Sequence, residues 1–103
     1  MITAEFCYED ENVVSYEISG HAFSAEPGHD LVCAGVSSIV FGLTNAVISL
    51  GYDELDIEMD DGYFCVRGIS EDSKVQAIVY GLIVSLNTIE EDNSAYLTVI
   101  YDR

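Results

Sequence analysis

In the stretch "LDIEMDDGYFCVRG", residues 55–68, apolar and polar residues alternate from Leu55 to Asp60, and Asp61-Gly62 separates them from the run "YFCVR". A period of two is that of a strand, and Asp-Gly suits a two-residue turn that needs positive φ, so the stretch predicts a β-hairpin. The turn also sets the pairing. Met59 opposes Phe64 and Ile57 opposes Val66 on a core side, while Glu58 opposes Cys65 and Asp56 opposes Arg67 on the other.

Helices flank this hairpin. From Leu31 to Leu50 the residues Leu31, Val32, Val36, Ile39, Val40, Leu43, Val47 and Leu50 recur at threes and fours, and Gly51 marks the stop. The other side of this helix carries Gly35, Ser38, Gly42 and Asn45 rather than charge, which predicts cover by the second helix or by another subunit. After the hairpin, Ser70 is a candidate cap with Glu71 and Asp72 in the first turn, and Val75, Ile78, Val79, Leu82, Ile83, Leu86 and Ile89 make a second buried stripe. At the N-terminus, Ile2, Ala4, Phe6 and Tyr8 alternate, then Val14, Tyr16 and Ile18, giving a second hairpin across "EDEN"; "AYLTVIY" is a final strand. The order is β-β-α-β-β-α-β, an α+β arrangement of one sheet against two long helices. With 103 residues, half of them hydrophobic, the chain supports a single domain over residues 1–103.

The formal net charge is −16, from 19 acidic and three basic residues. Such a surface repels nucleic acid and attracts cationic partners. The start "MITAEFCYED" lacks the basic head and apolar run of a signal peptide, and no apolar run is expected to reach the length of a membrane span, which points to a soluble cytoplasmic protein with no membrane contact. Cys7, Cys33 and Cys65 cannot all pair, contain no close ligand spacing, and are expected to be reduced thiols. Nothing asks for a metal or a cofactor.

The reactive residues concentrate in "ISGHAFSAEPGHDLVCAGVSSI", residues 18–39, which holds both histidines. Asp30 is a candidate N-cap, which puts Cys33 in the first turn of the helix. There the helix dipole favours a thiolate, and unpaired N–H groups can face an oxyanion. A cysteine nucleophile needs a base. His29 lies just outside the helix, whereas His21 closes a strand after Gly20, whose missing side chain permits close backbone approach, and geometry favours His21. Between them, Pro27 and Gly28 give the loop a stiff joint and a flexible one. Spacing alone leaves Cys33 equally readable as a small buried residue of an apolar helix. Cys7 and Cys65 lie within strand patterns and read as structural.

"SGHA" followed by "GHDLVCAGVSSI" resembles the bacterial ribosomal-processing cysteine protease family (Prp), and the resemblance extends through "FGLTNAVI" and "LIVSLNTIEED". It implies a His21–Cys33 catalytic dyad, with Gly20, Asp30 and Ser37 at accompanying positions, Gly28 in a mobile loop between the dyad residues, and a homodimer. It also implies a substrate: a basic large-subunit ribosomal protein from which a short N-terminal extension is removed. Within that frame Asp30 either caps the helix or orients His21, with the cap preferred. The alternative is a non-enzymatic acidic binding module or assembly chaperone for the same basic protein, which predicts no dependence on Cys33. A thiol-redox role is weaker still, since no Cys-x-x-Cys pair is present.

Overall fold

The computed structural model describes residues 1–23, 25–26 and 30–103. Its elements are β1 (Ile2–Glu9), β2 (Asn12–Gly20), α1 (Leu31–Ser49), β3 (Asp56–Asp60), β4 (Tyr63–Arg67), α2 (Ser73–Asp92) and β5 (Leu97–Asp102), the expected order. The strands form one sheet, β3-β4-β2-β1-β5, in which β5 runs parallel to β1 and the other pairs are antiparallel.

Two crossovers follow from this order, β2-α1-β3 and β4-α2-β5. The strands that start them are antiparallel, and the two crossovers step toward opposite edges of the sheet. Connections of the usual right hand must then lay both helices on the same face. The buried residues agree: Ile2, Ala4, Phe6, Tyr16, Ile18, Phe64 and Val66 share one core with Val36, Val40 and Val47 of α1 and Val75, Val79, Leu82 and Leu86 of α2. The result is two layers, with Phe41 of α1 packing edge-on against Phe64 at 4.9 Å between ring centroids and Gly35 facing Ile89 of α2.

The hairpin register is the one that the turn predicts, Met59 opposite Phe64 and Asp56 opposite Arg67. Its core side is only half realised. Phe64 and Val66 are buried, but Met59 and Ile57 are exposed, because β3 is the edge strand and lies beyond the helices. In β2 the buried residue is Val13 rather than Val14, since the register slips by one residue at Cys7/Tyr8 and such a bulge reverses the alternation. The cap of α2 is Asp72, whose carboxylate accepts from the Lys74 N–H at 2.8 Å; Ser70 Oγ instead accepts from the Asp72 N–H, two residues too early to cap. At the two ends of α1 the apolar Leu31 and the capping Leu50 are exposed, and within it Thr44 occupies the core in hydrogen-bonding contact with the Tyr16 hydroxyl. The predicted last strand begins two residues later than "AYLTVIY" suggests.

One expectation on length is overturned. At 19 residues without a charge, α1 is long and apolar enough to cross a membrane by length and composition. Its hydroxyl residues bond within the helix, Thr44 and Ser38 donating to the carbonyls of Val40 and Ala34 one turn back, and its buried stripe is committed to the sheet.

The Asp72 cap gives a first prediction. Hydrogen bonding to the Lys74 N–H and then to Tyr52 holds the Asp72 carboxyl below its ordinary value. A carboxyl lowered in the folded state stabilises above its unfolded pKa and loses that contribution as pH falls through the folded one. Asp72→Ala should therefore lower Tm by a few degrees at pH 7, and the gap from the parent protein should narrow as pH falls below about 4. Thermal melts across that range are the check.

Candidate active site

Three segments meet at one end of the sheet. β2 finishes at Gly20, so His21 is fixed just beyond it; α1 begins at Leu31, so Cys33 lies in its first turn. The third segment is the tip of the β3–β4 hairpin. It is held beside the end of β2 by the Ser19–Tyr63 pairing and by a hydrogen bond from the Gly20 N–H to the Gly62 carbonyl at 2.8 Å. Between them is a cleft of about 150 Å³, lined by Gly20 and His21, by Cys33, Ser37 and Phe41 of α1, and by Met59, Gly62 and Tyr63 of the hairpin.

The backbone at His21 is tightly specified. Gly20 has φ +90°, and a Cβ there would come within 2.2 Å of the Met1 carbonyl oxygen, so the close approach expected at this glycine is real and is made by the start of β1. The Met1 nitrogen in turn donates to the His21 carbonyl at 2.7 Å. The imidazole is 43% exposed and rests near Phe23, with ring centroids 5.6 Å apart. Its Nε2 lies 3.7 Å from Asp61 Oδ1, too far for a hydrogen bond, and Asp61 is almost fully exposed. Screening makes that charge pairing weak.

Asp30 caps α1: its Oδ1 accepts from the Cys33 N–H at 2.9 Å. This fixes the turn that carries the thiol. Because the Cys33 amide is occupied by Asp30, an oxyanion donor has to be sought among the other first-turn amides. Ser37 stands one helical turn beyond Cys33 and lines the same cleft. Gly28, Pro27 and His29, the loop joints and the second histidine of the sequence reading, lie outside the described residues.

Asp60 also lines the cleft, as does the titratable Tyr63. Hydrogen bonding to Glu17, and secondarily to Cys65, pushes its phenol up to about 12. At neutral pH it is a hydrogen-bond donor and no base. The remaining thiols are elsewhere: Cys7 Sγ lies 3.9 Å from Asp102 Oδ2 near the β5 edge, and Cys65 is buried in β4. All three cysteines are free.

The hairpin's share of the cleft, Met59, Gly62 and Tyr63, was not readable as part of a site. The hairpin itself is plain in the sequence, but its place beside β2 depends on a long-range strand pairing that no local pattern encodes.

With this geometry in view, the likenesses to known proteins are extensive. The family described as cysteine protease Prp matches residues 1–98. The ribosomal processing cysteine protease Prp of Bacillus subtilis (strain 168) is 46% identical over 97 residues, 87% of each chain. That of Staphylococcus aureus (strain Mu50 / ATCC 700699) is 40% identical over 105 residues, 98% of this chain and 99% of the relative. Among solved structures, the S. aureus ribosomal processing protease Prp with a covalently linked product peptide superposes with a TM-score of 0.93 at 39% identity, covering 99% of this chain and 100% of that one. The same enzyme with a substrate peptide gives 0.87 at 38% identity, with the same coverage. A likeness of this extent means that the chain belongs to the Prp family and is a cysteine protease.

Proposed function

We propose that His21 and Cys33 form the catalytic dyad of an endopeptidase that removes the N-terminal extension of a basic large-subunit ribosomal protein. The observation that carries this reading is the shared cleft: two residues from different elements, each with its backbone anchored, line the same small cavity. His21 takes the proton from the Cys33 thiol, and the thiolate attacks the scissile carbonyl carbon. His21 then protonates the leaving amine as the tetrahedral species collapses to a thioester. Water, deprotonated by His21, attacks the thioester and releases the carboxylate product, returning the proton to Cys33. Asp30 supports the thiol by fixing the first turn, and Ser37 is a polar neighbour on the same helical face.

The substrate class is supported by what the relatives are called, ribosomal processing proteases, and by charge. Ribosomal proteins are basic and this chain carries −16, so encounter is favoured at long range. Their synthesis places the reaction in the cytoplasm. A homodimer is supported by the uncharged side of α1, where Ser38, Gly42 and Asn45 remain exposed. The test is incubation of the purified protein with the extended ribosomal protein of the same organism, followed by mass analysis. Two products whose masses sum to the substrate plus one water are expected; an intact substrate counts against the reading.

Charge steering has its own test. Raising the salt from about 50 to about 200 mM should lower kcat/KM on the full-length basic substrate far more than on a short neutral peptide spanning the cut, because screening shortens the reach of the field. On the full-length substrate kcat should stay nearly constant. An equal salt response for the two substrates would mean that the acidic surface serves solubility alone.

A further inference from the structure

We propose that Gly62, at the tip of the β3–β4 hairpin, is a positioning residue for His21, an inference that rests on reading His21 as the base. Gly62 has φ +66°, as its turn requires, but the turn is not the whole of its constraint. A Cβ at this position would lie 2.7 Å from His21 Nε2, 3.2 Å from Cδ2 and 3.4 Å from Cε1. The far edge of the imidazole therefore sits against the glycine backbone with no room for a methyl group. The same residue accepts the hydrogen bond from the Gly20 N–H, so it holds the backbone just before the histidine as well as seating the ring. Phe23 borders the ring too, and the Met1 nitrogen holds the His21 carbonyl. Of these contacts, the one at Gly62 leaves the ring least space.

Any side chain at position 62 forces the ring to move, because the glycine is tied into a two-residue turn and the imidazole is the looser partner. The hairpin contributes no reacting group; it seats the base from across the cleft. Positioning of this kind acts on turnover more than on binding, since a shift of about 1 Å in a proton-transfer partner can cost about a hundredfold in rate.

Gly62→Ala and Gly51→Ala are compared. Both glycines have positive φ, +66° and +97°, so both alanines carry the left-handed penalty, but a Cβ at Gly51 meets nothing within 4 Å. Each should lose a few degrees in Tm. With rates expressed per folded molecule from circular dichroism, Gly62→Ala should lose about 100-fold in kcat with KM within about twofold, and Gly51→Ala should keep the parent kcat. Imidazole ¹H–¹⁵N spectra, recorded in a His29→Ala background so that His21 is the single histidine, should show the His21 resonances displaced by Gly62→Ala and unmoved by Gly51→Ala. If alanine at 62 does not fold, Gly62→Asn, which tolerates positive φ better, carries the same Cβ into the ring. Parent-like kcat or unmoved resonances in a folded position-62 variant overturn the proposal. His21→Ala in the same assay tells the two failures apart: if it is inactive, the seat at Gly62 does not matter to the base, and if it is active, His21 is not the base.

Discussion

Cys33→Ala is expected to lower kcat by about 10⁴-fold or more, with Tm within a few degrees of the parent protein. In the proposed dyad the thiol is the group that forms the covalent intermediate, and alanine offers no substitute. The fold should tolerate the change because Cys33 is half-buried at the rim of the core and its cap bond runs through the backbone N–H, which alanine keeps. The double variant His21→Ala/Cys33→Ala is expected to be no slower than the Cys33→Ala single, because a base without a nucleophile has nothing to activate. Single-turnover kinetics beside thermal melts measure both. Additive losses in the double variant would mean that the two residues act in separate steps rather than as one proton-transfer unit.

Phe6→Ala should produce the largest loss of stability. Phe6 is fully buried in β1, which is flanked in the sheet by β2 and β5, and its ring packs near Tyr16 and Tyr101 with centroids 5.7 and 6.5 Å away. Truncating a buried Phe costs about 3–5 kcal/mol through lost transfer energy and the cavity left behind. Against a total of about 5–15 kcal/mol for a typical domain, that is a large share. A chain of this length should lose roughly 15–30 °C in Tm. The rate per folded molecule should change little, because Phe6 does not line the cleft. A melt displaced by only a few degrees would show that the site repacks.

The parts of the fold readable in the sequence are those set by short-range chemistry. Asp61-Gly62 determines the hairpin pairing residue for residue, and Asp30 places Cys33 in a first turn, because both depend on neighbours within a few positions. The errors have a common source. Met59 and Ile57 alternate like core residues, yet whether a strand is central or at an edge is decided by the whole sheet. Val13 replaces Val14 in the core because of a bulge that answers to its partner strand. Ser70 and Asp72 are both good caps, and the choice depends on where α2 must begin to reach the sheet. Thr44 appears polar in sequence and is buried because Tyr16, 28 positions away, supplies a hydroxyl for it.

The candidate site divides in the same way. His21 and Cys33 are legible as a strand end and a helix start. That Gly62 seats the imidazole is not legible, since nothing local links the hairpin turn to a histidine 41 positions earlier.

The two histidines offer the most direct test, because each is a possible base by chemistry and His21 follows directly on β2. On the extended ribosomal protein of the same organism, with product masses followed over time, His29→Ala should cleave at close to the parent rate while His21→Ala leaves the substrate intact. An active His21→Ala beside an inactive His29→Ala would contradict the dyad drawn from the cleft.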